Sequence, residues 1–312
     1  MTITQHRYVL AVAEHQNFTK AAEHIFVTQP TLSMQIQKLE EELDILIFDR
    51  KKKPIELTPV GKKIVEQARN IVNESDRMQD VVDQEKGFIG GPFHFGMIPT
   101  VMPTLLPLFL KNFSTRYPKV ELKIEELNTS EIIERINDGY LDAAIAATPL
   151  QQEKIKERIL YYEPFVGYIP ENHRLGKKEK ITIDDLDPND ILLLKDGHCL
   201  RENIINLCNA PEAGENELFQ LKSGSIETLI KLSDEGLGMT LLPYLHTLNI
   251  NPETKKNLIR FQDPPPGREI SLIYSDRQLK MQIIDALYNS ISGLIRGAIA
   301  FHDVKIVSPL KK

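Results

Sequence analysis

Between Thr58 and Gln84 the chain carries one unbroken helical pattern, and that pattern limits every fold open to it. Thr58 and Pro59 mark its start, and Ile64, Ala68, Ile71, Val72, Met78, Val81 and Val82 continue one apolar face. Gly87, Gly90, Gly91 and Pro92 follow and mark a hinge. A helix this long between two folded regions predicts pairing with a copy of itself, because its apolar face otherwise stays in water. Packing against its own domain is the alternative. The chain has 312 residues, enough for two or three compact units around that helix.

The preceding residues read as helical. Tyr8, Leu10, Val12 and Ala13 belong to a first helix. Asn17 caps a second, from Phe18 to about Ile25, whose Ala21-Ala22 pair lets another helix approach closely. Thr28 caps a third, with Pro30 in its first turn, running through Ile36, Leu39 and Leu43. Two short helices, a tight turn and a third helix with a polar start predict a helix-turn-helix. Thr28, Gln29, Pro30, Thr31, Ser33 and Lys38 lie near that start, where such side chains reach base edges or phosphates. Two short extended stretches, at 48–49 and 55–57, flank the basic turn Arg50-Lys51-Lys52-Lys53. They predict a wing whose cations touch phosphate, with a merely solvated turn as the alternative. The net charge is −6, so any DNA surface must be local.

After the hinge, strands and helices alternate. Residues 93–98, 120–127 and 141–147 read as strands, and 105–116 and 130–138 as helices. This βαβ series predicts a parallel sheet covered by helices. A second α/β unit follows over 196–208, 225–235 and 239–242. A strand at 268–274 and a helix at 279–299 complete the reading. Thr100 and Thr129 follow the first two strands, at the strand ends where such folds bind ligands.

The stretch from Asp196-Gly197-His198-Cys199 to Cys208 holds both cysteines of the chain, nine residues apart. After the Asp-Gly turn, Leu200, Ile204, Leu207 and Cys208 share one helical face. Cys199 falls at the helix N-terminus beside His198 and Arg201, where free N–H groups, the dipole and a cation favour a thiolate. An intact helix holds the two Cα atoms roughly 13 Å apart, whereas a disulfide requires about 7 Å or less. Two unrelated buried thiols are the ordinary reading of such a pair. If they do pair, the segment must unwind and refold.

The motif order resembles the LysR-type transcription regulators along nearly the whole chain. The resemblance rests on Phe18-Thr19-Lys20-Ala21-Ala22, Thr28-Gln29-Pro30-Thr31-Leu32-Ser33, Ile36-Gln37-Lys38-Leu39-Glu40, Phe48-Asp49-Arg50 and Leu57-Thr58-Pro59-Val60-Gly61. Gln37 departs from it, since the family commonly has Arg there. The resemblance implies an α/β fold with an N-terminal all-α winged helix-turn-helix domain and a periplasmic-binding-protein-like two-lobe regulatory domain. The expected domains are 1–58 for DNA binding, 59–86 for the dimerising linker helix and 87–91 for the hinge. Lobe I takes 92–163 and 267–302, lobe II takes 164–266 with the cysteine segment, and 303–312 form a tail. The chain crosses between lobes near Pro164 and returns near Pro264-Pro265-Pro266.

Gly197-His198-Cys199-Leu200-Arg201 with Cys208 further resembles the peroxide-sensing segment of one branch of that family. The resemblance implies that Cys199 reacts with hydrogen peroxide to give a sulfenic acid, which condenses with Cys208. It also implies that Thr100, Thr129 and His198 hold peroxide, with Arg268 close enough to favour the thiolate. Glu202 stands where that branch typically has Asp, and Gly267 where it usually has a second Arg. The implied partners are double-stranded DNA, RNA polymerase, glutaredoxin or thioredoxin as reductant, and further copies of the chain in a homotetramer, a dimer of dimers. Antioxidant genes are the implied targets.

No stretch approaches 18 apolar residues and the first sixteen residues carry no long apolar run, so the expected location is cytoplasmic, with no membrane partner. No Cys/His cluster has zinc spacing, and neither GxGxxG nor GxxxxGK[ST] occurs, so neither metal nor cofactor is expected. Two rivals to the peroxide switch are a LysR-type regulator that binds a small anion or metabolite, with inert cysteines, and a thiol peroxidase. A catalyst does not need the DNA-binding pattern, which favours a regulator over an enzyme.

Overall fold

The computed structural model describes residues 1–208, 223–299 and 304–310. Residues 209–222 of the expected lobe II, 300–302 of lobe I, and 303, 311 and 312 of the tail lie outside the described residues. Two compact units divide the chain, Met1–Phe88 and Ile89–Lys312.

The first unit holds α1 (Ile3–His15), α2 (Phe18–His24), α3 (Gln29–Leu43), β1 (Phe48–Asp49), β2 (Glu56–Leu57) and α4 (Pro59–Glu85). Each early helix starts where a side chain satisfies free N–H groups. Thr2 and Gln5 form a capping box, Asn17 accepts from the amides of Thr19 and Lys20, and Thr28 accepts from Thr31. Val9, Val12, Ala21, Leu32, Ile36, Leu39 and Ile47 close a core between them. The start of α4 passes tightly over the wing. A Cβ on Gly61 would lie 2.1 Å from the Ile47 carbonyl oxygen, so glycine is required there. Ala68 and Val72 of α4 are buried, while Ile71, Met78, Val81 and Val82 remain exposed, Met78 at 69%. An apolar stripe of α4 is therefore uncovered in the single chain.

The second unit runs β3 (Gly91–Met97), α5 (Met102–Arg116), β4 (Val120–Glu126), α6 (Thr129–Asn137), β5 (Ala143–Thr148) and β6 (Ile155–Tyr168). It continues through β7 (Lys180–Ile181), α7 (Cys199–Cys208), α8 (Ile226–Asp234), β8 (Thr240–Pro243), α9 (Tyr244–Thr247) and β9 (Leu258–Phe261). It ends with β10 (Pro266–Ser275), α10 (Met281–Ala298) and β11 (Lys305–Ile306). The sheet order is β4-β3-β5-β10-β6-β9-β7, with β11 on β10 and β8 on β6.

The expectation of a parallel sheet holds for β3, β4 and β5 and for the β7–β9 and β10–β11 pairs, and fails at the two strands β6 and β10. β10 lies antiparallel to both β5 and β6, and β6 lies antiparallel to β8 and β9. The reason is that β6 and β10 are the two crossing strands. One leaves the first lobe and the other returns, so they must run in opposite directions. Each lobe has its own core. Phe93, Phe95, Phe109, Ile145, Leu272 and Leu287 fill the first, and Tyr168, Leu193, Leu200, Ile204, Leu241 and Phe261 fill the second. Helix α5 begins at Met102, earlier than expected, because Pro103 is accommodated in its first turn.

Candidate functional site

Helix α7 starts at Cys199 because the preceding turn demands it. Gly197 has φ +89°, a left-handed conformation that side chains disfavour. His198 and Cys199 follow it into the interior, and both are buried. The Cys199 Sγ lies 4.0 Å from Thr100 Oγ1, in the turn between β3 and α5.

Thr100 is held in turn by Arg268. Arg268 Nη1 donates to Thr100 Oγ1 at 2.7 Å, and Nη2 donates to the Thr100 carbonyl at 3.0 Å. Nε and Nη2 both donate to Glu163 Oε2, at 3.0 and 2.8 Å. Arg268 on β10 and Glu163 on β6 face each other in the strand register. The other Glu163 oxygen accepts from the Leu245 amide of α9 at 2.9 Å. Arg268 is 0% exposed and Glu163 is 1% exposed. Such a charge pair survives burial only with its hydrogen bonds satisfied, and the Arg268–Glu163 contacts meet that demand.

Two opposing effects act on the Cys199 thiol. Burial pushes its pKa up, and the Arg268 charge, the Thr100 hydroxyl and the Leu200 amide pull it down; burial wins. The cation that the thiolate expectation calls for is present, but burial opposes it and outweighs it. The cation is also not the one adjacent in sequence. Arg201 pairs with Asp196 at 3.0 Å and donates to the Leu194 carbonyl at 3.3 Å, while Arg268 is the guanidinium that acts on Cys199.

Burial, and then the Lys195 charge, lower the pKa of His198. Its Nδ1 is buried without a hydrogen-bond partner among the described residues. Gly224 lies against the other side of the ring, where a Cβ would meet Nε2 at 3.2 Å. Thr129 is the first residue of α6, but Asn128 caps that helix, accepting from the Glu131 amide. The Thr129 Oγ1 is buried and has no hydrogen-bond partner among the described residues. β4 is the immediate neighbour of β3 in the sheet, so the turns carrying Thr129 and Thr100 emerge side by side.

Cys208 ends α7 and packs against the second lobe's core, whereas Cys199 belongs to the first lobe's core. Burial, with the Asp187 charge, pushes the Cys208 thiol up to about 11. Both cysteines are free.

Sequence reasoning missed Glu163, Tyr161 and His246. The buried Tyr161 hydroxyl has no partner among the described residues, and its pKa is raised by burial and then by Glu163. Burial, then the Arg268 charge, lower His246 to about 4, with Glu227 opposing. A signal existed for Glu163, an ionisable residue inside the apolar run 160–166.

In the first unit, Thr28, Gln29, Pro30 and Thr31 are exposed at the start of α3, with Ser33 half-buried and Lys38 exposed. The Thr28 and Thr31 hydroxyls lie 2.8 Å apart. The wing cations divide. Arg50 donates to Glu40 at 2.8 Å and to Ser33 at 3.2 Å and lies over the Phe18 ring, so much of its capacity is used within the domain. Lys52 pairs with Glu56 at 2.6 Å. Lys51 and Lys53 are exposed without an ion pair among the described residues. Gln37 donates to Glu41 at 3.0 Å.

Among the described residues no cluster could hold a metal ion, and no helix is long and apolar enough to cross a membrane.

Residues 3–62 match the bacterial regulatory helix-turn-helix proteins of the lysR family, and residues 86–292 match the LysR substrate binding domain. The chain is 35% identical over 277 residues to the DNA-binding transcriptional dual regulator OxyR of Escherichia coli, covering 88% of this chain and 89% of that one. It is 32% identical over 309 residues to a probable hydrogen peroxide-inducible genes activator of Streptomyces viridosporus, covering 98% of this chain and 97% of the other. Among solved structures, a full-length OxyR variant from Pseudomonas aeruginosa superposes with a TM-score of 0.77 at 31% identity, covering 94% of this chain and 98% of that one. A peroxide-bound OxyR mutant from Corynebacterium glutamicum gives 0.63 at 26% identity, covering 100% and 98%. These relatives are DNA-binding regulators rather than enzymes. Both folded units, and most of the chain's length, lead to one conclusion: this chain belongs to the LysR family of bacterial transcription regulators, in its OxyR branch.

Proposed function

We propose that the protein is a hydrogen-peroxide sensor that controls antioxidant genes through a reversible Cys199–Cys208 disulfide. The observation that carries this reading is the surroundings of Cys199: a buried thiol at a helix N-terminus, touching Thr100, which is locked by the fully buried Arg268. Inert cysteines do not require a buried cation.

In this reading peroxide enters beside Thr100, Thr129 and His198, whose hydroxyls and imidazole can both donate to it and accept from it. His198, neutral with an open Nδ1, takes the Cys199 proton, and Arg268 stabilises the thiolate so formed. The sulfur attacks one peroxide oxygen and the O–O bond breaks. The departing hydroxide takes the proton from His198 and leaves as water. Cys199 is oxidised by two electrons to a sulfenic acid as peroxide is reduced. Cys208 then attacks the sulfenic sulfur, the S–S bond forms, and a second water leaves. Helix α7 must unwind for this step, because its two ends are roughly 13 Å apart when intact.

The start of α3, with Thr28, Gln29, Pro30, Thr31, Ser33 and Lys38, reads the major groove, and Lys51, Lys53 and the partly engaged Arg50 and Lys52 lie along phosphates. The exposed stripe of α4 pairs two copies, and two pairs form the working tetramer. Refolding of α7 changes how subunits meet and so how the complex engages operator DNA and RNA polymerase. A cytosolic dithiol protein such as glutaredoxin or thioredoxin resets it.

The test is mass analysis of peptides after a brief, low-micromolar peroxide pulse and alkylation. A 199–208 disulfide within seconds is the expected result. Two alkylated thiols would refute the reading.

A further inference from the structure

The stretch after α10 has no counterpart in the site just described, yet its backbone is tied on both sides. The Lys305 amide donates to the Pro265 carbonyl, and the Val307 amide to the Gly267 carbonyl, both at 2.8 Å. Gly267 makes room for this. A Cβ there would lie 2.4 Å from Val304 Cγ1 and 2.4 Å from the Glu163 carbonyl oxygen. Val307 is buried within the second lobe's core. The carbonyl groups of the same stretch face α7. Asn203 Nδ2 donates to the Val307 carbonyl at 2.7 Å, and Asn206 Nδ2 donates to those of Ser308 and Leu310 at 2.9 and 2.7 Å.

Asn203 and Asn206 lie between the two cysteines. Asn203 is fully buried, and its Oδ1 has no partner among the described residues. Its side chain therefore depends on the Val307 carbonyl, since a buried amide with no partner is destabilising. A cavity of about 670 Å³ lies beside the contact, lined by Asn206, Leu207, Pro264, Pro266 and 305–308. The stretch is thus packed from one side and open on another.

We propose that residues 305–310 form a strap that holds α7 helical, and that Asn203 and Asn206 are positioning residues that set how fast Cys208 reaches an oxidised Cys199. The proposal rests on the disulfide reading above. Unwinding α7 carries both asparagines off the strap's carbonyl groups. Each hydrogen bond that must break is worth about fivefold in the opening equilibrium. The peroxide step is different, because Thr100, Arg268 and Glu163 hold Cys199 from the first lobe and the crossing strands. The strap therefore governs the second step of the switch and leaves the first alone. In that second step the Cys208 sulfur attacks the sulfenic sulfur, an S–S bond forms, the S–O bond breaks, and water leaves with the thiol proton.

The experiment uses the full reduced chain as wild type, Asn206→Ala, Asn206→Gln and Cys199→Ser. Each is mixed rapidly with one equivalent of hydrogen peroxide and quenched over time. Mass analysis separates thiol, dimedone-trapped sulfenic acid and disulfide. Asn206→Ala removes two hydrogen bonds, so disulfide formation is expected to be about 5- to 25-fold faster, with sulfenic acid formation unchanged. Asn206→Gln, which keeps the amide donor, returns the rate toward wild type. Deuterium exchange of 304–310 rises on oxidation of the wild type and stays low in Cys199→Ser. An Asn206→Ala resolution rate equal to wild type, or unchanged exchange of 304–310 in protein whose disulfide is confirmed, overturns the strap. A wild-type sulfenic acid that never becomes a disulfide overturns the disulfide reading and the strap with it.

Discussion

The two ends of α7 carry the same residue in opposite settings. Cys199 lies in the first lobe's core, with Arg268, Thr100 and the Leu200 amide opposing the effect of its burial. Cys208 packs on the second lobe, where burial and the Asp187 charge both push its thiol up. Both thiols are pushed up by burial, but only Cys199 has a cation and hydrogen-bond donors opposing that effect. The helix that they share supplies only part of the difference, through the Leu200 amide at its start. The difference comes largely from which lobe each end meets, and in the proposed switch it suits the first to attack peroxide and the second to wait for α7 to open.

The largest test of that contrast exchanges the sulfurs one at a time. Cys199→Ser is expected to abolish the response of DNA binding to peroxide, whereas Cys208→Ser stops at a sulfenic acid that dimedone traps. Equal behaviour of the two variants in a peroxide titration would erase the distinction.

Arg268→Met comes next. It leaves the Glu163 carboxylate buried and unpaired, at a cost of about 3–5 kcal/mol in urea unfolding. It also slows sulfenic acid formation, by roughly tenfold for each unit the thiol pKa rises. Adding Glu163→Gln should recover much of the stability and none of the rate. Recovery of both would make Arg268 a structural residue only.

The pH dependence of unfolding separates the two ends on a finer scale. His246, beside Arg268, has a folded pKa of about 4, below its ordinary 6.5. The unfolded chain binds that proton first, so this contribution is complete above 6.5 and is lost as pH falls toward 4. It amounts to ~3 kcal/mol at most, and His246→Gln should remove it. Cys208 acts on the alkaline side. Its pKa is raised to about 11 from 9.0, so the unfolded chain ionises first, and stability is lost as pH rises through that window. Cys208→Ala should flatten that limb.

The smallest effect is expected from Thr100→Val. Its contact with Cys199 is 4.0 Å and weak, but the substitution removes the acceptor for Arg268 Nη1. A slowing of about threefold to tenfold in sulfenic acid formation is expected, read by stopped-flow mixing.

Much of the fold was legible locally. Asn17 and Thr28 announce the helices they cap, Thr58-Pro59 announces α4, and the Asp-Gly turn places the start of α7 at Cys199. These are short-range effects of capping and backbone freedom, so a single pass along the chain recovers them. The direction of the crossing strands is not legible, for the converse reason. A βαβ pattern specifies neighbours and leaves open the direction of a strand that returns from another lobe, as β10 does. The sequence neighbour Arg201 was the natural cation for Cys199, yet it turns to Asp196, and Arg268 takes the place.

The order of the parts is written along the chain: a capped helix-turn-helix with a wing, a long amphipathic helix, and an alternating region with two cysteines nine residues apart. What each cysteine feels depends on how distant strands pack. Arg268 reaches Thr100 because β10 pairs with β6, and Glu163 is its partner because the register sets the two opposite each other. Val307 meets Asn203 only because Gly267 leaves space for the chain to pass. Charge and burial act through space, and residues more than a hundred positions apart become nearest neighbours only when the strands pair.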